Sequence, residues 1–171
     1  MATKGLTRAS STVAIGFAVA EGGPNTFEQD SVDLNLSPLD REVFVVTAIN
    51  LDPIVPDAIA AVNTQTQCSL TTTSQSDVVN LSNSNCLATA VLDIRSAGYL
   101  DGGVSFTRNG METPPATLDY IGIIATNDFF VQVKGTGNLA AKSCFGKLYG
   151  YRAKASADIY AALVQSEVLS A

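Results

Sequence analysis

Alternation of apolar with small or polar residues, renewed in run after run, most narrows what this sequence can fold into. Val13, Ile15, Phe17 and Val19 alternate with Ala14, Gly16 and Ala18. After the EGGPN turn, Val32, Leu34 and Leu36 repeat the pattern within residues 30–36. A period of two sends successive side chains to opposite faces, the mark of half-buried strands rather than helices. Residues 42–51 (EVFVVTAINL) are instead almost continuously apolar and rich in β-branched side chains, which predicts a central strand covered on both faces.

The first run also imitates a secretory leader, with Lys4 and Arg8 ahead of it and Ala18-Val19-Ala20 before Glu21. Its shortness, its lack of leucine and its period of two mark it as a first strand rather than a cleaved segment. No other apolar run approaches the roughly 18 residues of a membrane span.

Turn chemistry punctuates the rest. Ser37-Pro38-Leu39-Asp40 suits a turn, and Asp52-Pro53-Ile54-Val55-Pro56 stops the central strand because proline cannot donate to a ladder. Pro56 suits the start of a short helix over 57–62. Residues 64–73 (TQTQCSLTTT) read as an edge strand or a subunit contact, and 74–85 as a polar loop with room for one helical turn. Residues 86–95 lean to strand with an Ala-rich helical alternative, 98–103 form a glycine-rich bend, and 104–108 a short strand closed by Asn109-Gly110. Further strands are expected over 118–125, 129–134 and 139–155. Gly135-Thr136-Gly137-Asn138 between the last two is the strongest hairpin signal. Phe145, Tyr149 and Tyr151 share one face of the last strand with Lys147, and Arg152 and Lys154 alternate with them, which suits a single-strand nucleic-acid platform or, equally, an aromatic core face on a sheet edge with lysine opposite. Ser156 as N-cap, Asp158 in the first turn and Ile159, Tyr160, Leu163, Val164 and Val168 at helical spacing predict a helix over about 157–169.

Eight or nine short strands followed by one helix give an all-β fold, a sandwich or barrel. At 171 residues and 46% hydrophobic content the chain suffices for one domain, 1–171, with its own core.

The residue inventory removes most chemistry. Without histidine there is no Ser-His-Asp or Cys-His pair and no histidine-bound metal, so an enzyme is not expected. The three cysteines, Cys68, Cys86 and Cys144, form no CxxC and read as buried free thiols. Asp30 and Asp33 differ in strand parity and cannot share a substrate. Asp52 and Asp57 flank a proline-rich loop that does not match a calcium-binding loop, so they read as solvated carboxylates. No cofactor and no metal is expected.

Charge is the remaining signal. The net charge is −6, yet residues 129–157 carry Lys134, Lys142, Lys147, Arg152 and Lys154 with no acid, while 9–128 carry 14 acids against three arginines. This basic stretch suits contacts between copies of the subunit or an inner-face contact with nucleic acid. It equally suits a solvated sheet edge kept from aggregating by lysines.

The chain resembles the single jelly-roll capsid proteins of icosahedral viruses, with EVFVVTAINL as an inner strand and FFVQVKGTGN followed by KLYGYRAKA as the closing pair. The resemblance implies an eight-stranded sandwich of two Greek keys, self-assembly into a virion shell and no catalysis. Its partners would be copies of itself and other virion proteins, with at most weak contact to nucleic acid, since the long basic N-terminal arm of many members is missing. The implied location is the virion, after synthesis in the host cytoplasm. Alternatives are a capsid decoration or cement protein, a tail or tube subunit, and a non-viral sandwich that binds a ligand. The absence of tryptophan counts against a sugar site.

Overall fold

A computed structural model describes residues 4–96, 104–108 and 110–170, with side chains for all of these except 104–108 and 110. The described strands are β1 (Leu6–Arg8), β2 (Val13–Ala20), β3 (Glu28–Asp33), β4 (Glu42–Pro53), β5 (Thr64–Thr71), β6 (Cys86–Arg95), β7 (Val104–Arg108), β8 (Gly110–Glu112), β9 (Gly122–Ile124), β10 (Asp128–Thr136) and β11 (Ser143–Ala155), and helix α1 (Ala157–Leu169) follows. The expected bend at 98–103 and Asn109 lie outside the described residues.

Two antiparallel sheets result. In the first, β1 and β2 lie in tandem along one side of β11, β4 lies on the other side, and β8 and β9 lie in tandem beyond β4. The second runs β3-β10-β5-β6-β7. From β2 to β5 the chain changes sheet at every connection. The last two strands are inserted inside the existing sheets, β10 between β3 and β5 and β11 between β2 and β4. That winding is the jelly roll, a sandwich made of two Greek keys.

Alternation explains which side chains meet. Ile15, Phe17 and Val19 of β2 face inward while Ala14, Gly16 and Ala18 are exposed. Phe44, Ile49 and Leu148 of the first sheet pack against Leu70, Phe129, Val131 and Val133 of the second. Phe17 meets Phe129 edge to face, ring centres 5.7 Å apart, across the two sheets. The near-continuous apolarity of β4 has two causes. Val43 and Val45 face outward into a second cluster with Ala153 and Ala155, roofed by Ile159, Tyr160, Leu163 and Val164 of α1. A bulge opposite Tyr149 and Gly150 leaves Thr47 unpaired, so core positions change parity from Phe44 and Val46 to Ile49 and Leu51. Gly150 lies where a Cβ would enter the Val45 carbonyl and the Phe44 ring. Gly150→Ala is therefore expected to cost at least about 1–3 kcal/mol, read as a lowered midpoint in denaturant titration.

Several expectations need correction. Residues 57–62 are not helical: a turn at 60–61 with Ala61 at φ 60° occupies part of the stretch, and the Asp57 side chain and backbone are taken up by distant hydrogen bonds. The segment expected at an edge, β5, lies inside the second sheet between β10 and β6. Its polar side chains are tolerated there because loop 74–85, which has no helical turn, covers them and shares their hydrogen bonds. Gly135–Asn138 makes no hairpin between paired strands: β10 and β11 lie in different sheets, and the turn is a corner between them. Gly137, at φ 72°, has the left-handed conformation glycine permits. Within 118–125 only β9 is strand, and β11 begins at Ser143 rather than Leu139. The aromatic face of β11 points away from the main core, toward which Cys144 and Leu148 point instead. On α1, Val168 is exposed and Glu167 is buried, and Ser156 occupies the N-cap in extended conformation without a side-chain cap bond.

Candidate assembly surface and polar corner

The five basic residues do not share one face. Lys134 is on the outer side of the second sheet, paired with Asp77 at 2.7 Å. Lys154 is exposed near Asp40, 3.6 Å away. Lys147 is exposed on the outer side of the first sheet between Gly16 and Asn50, with no ion-pair partner among the described residues. Arg152 is half-buried at the mouth of the sandwich, where its guanidinium donates to the Leu34 carbonyl at 2.9 Å. It lines a groove of about 550 Å³ with Asp33, Glu42, Phe44 and Val13. The groove holds two carboxylates, a guanidinium and the Ser10 hydroxyl.

Lys142 is nearly buried, and its ammonium lies 2.6 Å from Asp57. It belongs to a polar cluster that builds the corner between β10 and β11. The second Asp57 oxygen accepts the Leu139 and Ala140 N–H groups at 2.8 and 3.1 Å. The Lys142 hydrogen bond, then those backbone donors, hold the Asp57 carboxyl below its ordinary value. Asn138 donates its N–H to the Asn25 side chain, accepts the Asp57 N–H and donates its amide to the Gln65 carbonyl. Buried Glu21 accepts the N–H groups of Gly135 and Lys142. Asp57 is thus a partly exposed carboxylate tied by an ion pair and two backbone N–H groups rather than a merely solvated one, and it is not set beside Asp52, which is exposed on β4. Sequence reasoning missed Glu21, Asn25 and Asn138, because an asparagine next to glycine signals a turn without showing which distant strands it joins.

Glu167 was also missed. It reaches from α1 to accept the Ala125 and Thr126 N–H groups at 2.9 and 3.0 Å. Burial pushes its carboxyl above the ordinary 4.5, against the pull of those donors. A raised carboxyl contributes stability below the unfolded value and loses it as pH rises through the folded one. Docking of α1 should therefore strengthen as pH falls from 7 toward 4.5, and Glu167→Gln should flatten that dependence. Glu167→Ala, which orphans both N–H groups, should cost about 1–3 kcal/mol in thermal melts at neutral pH.

The three cysteines are free thiols. Cys68 and Cys144 both lie in the main core, and the neighbouring Cys144 thiol, with burial, raises the Cys68 thiol far above its usual range. Burial pushes Cys86 up to about 11. Thiols held protonated are poor nucleophiles.

No family model matches the chain, and no curated protein matches it. Among solved structures, one from desmodium yellow mottle tymovirus aligns over 85% of this chain and 87% of its own at 11% identity and a TM-score of 0.26. One from turnip yellow mosaic virus aligns over 86% and 95% at 11% identity and a TM-score of 0.28. Superpositions that loose establish nothing about this chain, and the jelly-roll assignment rests on its own strand order. No helix among the described residues is long and apolar enough to cross a membrane.

Proposed function

We propose that this chain is a virion structural protein, a self-assembling capsid shell subunit with no catalytic step, folded as one domain over residues 1–171. The observation that carries the reading is the jelly-roll winding, an architecture that recurs in capsid shells. The likeness is one of fold, and folds host many functions. Two features of this chain favour the shell among them. The sequence lacks histidine and tryptophan, residues on which metal and sugar sites of other sandwiches draw. Large apolar side chains also stand out at loop tips, Leu39 at 97% exposure and Leu139 at 78%, as a subunit covered by neighbours would carry them.

Sedimentation and negative-stain microscopy of the purified protein test this. Closed particles support the shell; open tubes would favour the filament reading. A monomer at every concentration would overturn self-assembly and leave the decoration protein and the ligand-binding sandwich.

The basic stretch enters this proposal in altered form. Lys134, Lys142 and Lys154 are engaged by acids of their own subunit, and Arg152 by the sandwich mouth. Lys147 is the cation to probe for contacts between copies. Lys147→Glu is expected to weaken assembly by about 0–1 kcal/mol per contact, most visibly at low salt, while the monomer's melting midpoint stays unchanged.

A further inference from the structure

The β2 edge of the first sheet is long and has no guard. In the ladder between β2 and β11, Ala20 lies opposite Ser143, and one step on the Glu21 N–H donates to the Lys142 carbonyl at 2.9 Å. Antiparallel pairs alternate between bonded and non-bonded, so Val13, Ile15, Phe17 and Val19 bond to β11. On the other side of β11, the Ile54 N–H reaches the Ser143 carbonyl, which confirms the phase. The N–H and C=O groups of Ala14, Gly16, Ala18 and Ala20 therefore point away from the sheet, and among the described residues no backbone group bonds to them. The same four residues are exposed and carry the smallest side chains, and a Cβ added at Gly16 would meet nothing within 4 Å.

Edge strands are normally protected by charge, proline or a bulge. The β3 edge of the second sheet obeys this rule: β3 carries Glu28, Asp30 and Asp33, so two copies meeting there would oppose like charges. The eight residues of β2 carry no charge and no proline, and their ladder to β11 has no bulge. Two β2 strands meeting antiparallel bring no like charges together. In the register of fullest overlap, Ala14 faces Ala20 and Gly16 faces Ala18 of the second copy, forming about eight hydrogen bonds. That register keeps the inward-facing residues of both copies on one side, with the two Phe17 side chains at the two-fold axis.

We infer that β2 is a homotypic contact, through which a second copy of this chain continues the first sheet by antiparallel β2–β2 pairing. The occupant follows from self-complementarity: a strip of small uncharged residues, two-fold compatible in phase and facing, on a molecule whose charged β3 edge repels its own copy. The strip is about 27 Å long, too narrow to reach alone the roughly 1,200 Å² of a stable complex. It is a weak contact that repetition within an assembly would make effective, and in taking a second copy as occupant it rests on the self-assembly reading.

The test uses the whole chain and three variants. Ala18→Pro removes one outward N–H without touching the ladder to β11, Ala18→Lys places a charge on the edge, and Asp30→Lys alters the β3 edge as control. Assembly is followed by sedimentation and microscopy, and amide exchange in β2 by NMR at low and high concentration. If particles form, and both Ala18 variants need about tenfold more protein or more while Asp30→Lys does not, the contact is supported. Should Ala18→Pro fail to fold, Ala18→Lys decides alone. Particles formed equally well by Ala18→Lys overturn the β2 contact and leave the shell reading standing. Dimers without particles, with Ala14, Gly16, Ala18 and Ala20 amides protected only at high concentration and unprotected in Ala18→Lys, support the contact and overturn the shell. No particles, with the same amides exchanging freely at every concentration, overturn both.

Discussion

Asp57→Asn is expected to destabilise the fold by about 3–5 kcal/mol, and Lys142→Met by clearly less, although both break the same ion pair. The asymmetry comes from burial. The Lys142 side chain is 6% exposed and that of Asp57 29%. Removing the carboxylate charge strands an ammonium where water cannot reach it. Removing the ammonium leaves a carboxylate that keeps two backbone N–H donors and some solvent. The double change to Asn and Met should recover much of the loss, because no buried charge remains. The pH dependence has a definite sign. The Asp57 carboxyl is depressed, so its contribution is present above the unfolded value of 3.8 and is lost as pH falls through the depressed one. Wild type should begin to lose this part of its stability as pH falls below 3.8, whereas Asp57→Asn should lack it throughout. Urea midpoints of the four proteins, measured from pH 3 to pH 7, check both statements. Equal losses for the two single changes would show that the corner is hydrated.

This corner also marks where the sequence stopped being legible. Strand identity was readable in β2 because its inward residues are covered while the small ones between them are exposed, so the pattern records the sheet surface directly, whereas the alternation over 30–36 overran β3, which ends at Asp33. The wet or dry state of a polar residue was not readable. The Thr- and Gln-rich β5 looks like an edge because isolated polar side chains belong in water, yet Ser69, Thr71 and Gln132 are fully buried. They are covered by loop 74–85, whose return over the sheet no local periodicity records. The pairing of β10 and β11 failed for a related reason. A glycine-rich turn reports that the chain reverses, not whether it returns in the same sheet, and here Glu21 and Asn25, more than 110 positions away, hold it in the corner. Charge was misleading in a third way. Five cations within one stretch of sequence are distributed by strand parity and by the corner to separate surfaces, and three of them meet acids from elsewhere in the chain.

The second large effect is expected at Gln132. Its amide donates to Gln29 and Thr71 at 3.0 and 2.7 Å, and its carbonyl accepts the Ser69 hydroxyl at 2.7 Å. Gln29 in turn accepts the Gln75 N–H, and Ser69 the Val79 N–H, so this one side chain joins three strands to the covering loop. Gln132→Glu has nearly the same shape and replaces an amide donor with a carboxylate oxygen that meets Gln29 Oε1. Ionised, it is an unpaired buried charge; protonated, it restores only one donor. A loss of about 3–5 kcal/mol is expected at pH 7. Because such a carboxyl would titrate above its unfolded value, the loss should shrink as pH falls toward that value, opposite in direction to the acid loss at Asp57. Gln132→Leu should cost less, about 1–3 kcal/mol, chiefly for the orphaned Ser69 hydroxyl, and should show no pH dependence of its own. Gln67→Glu provides the control, being half-buried on the same outer face opposite Lys134, with a change within about 0.5 kcal/mol. If Gln132→Glu proves as mild as Gln67→Glu across this pH range, water reaches the layer beneath loop 74–85, and β5 behaves as the exposed strand its composition suggests.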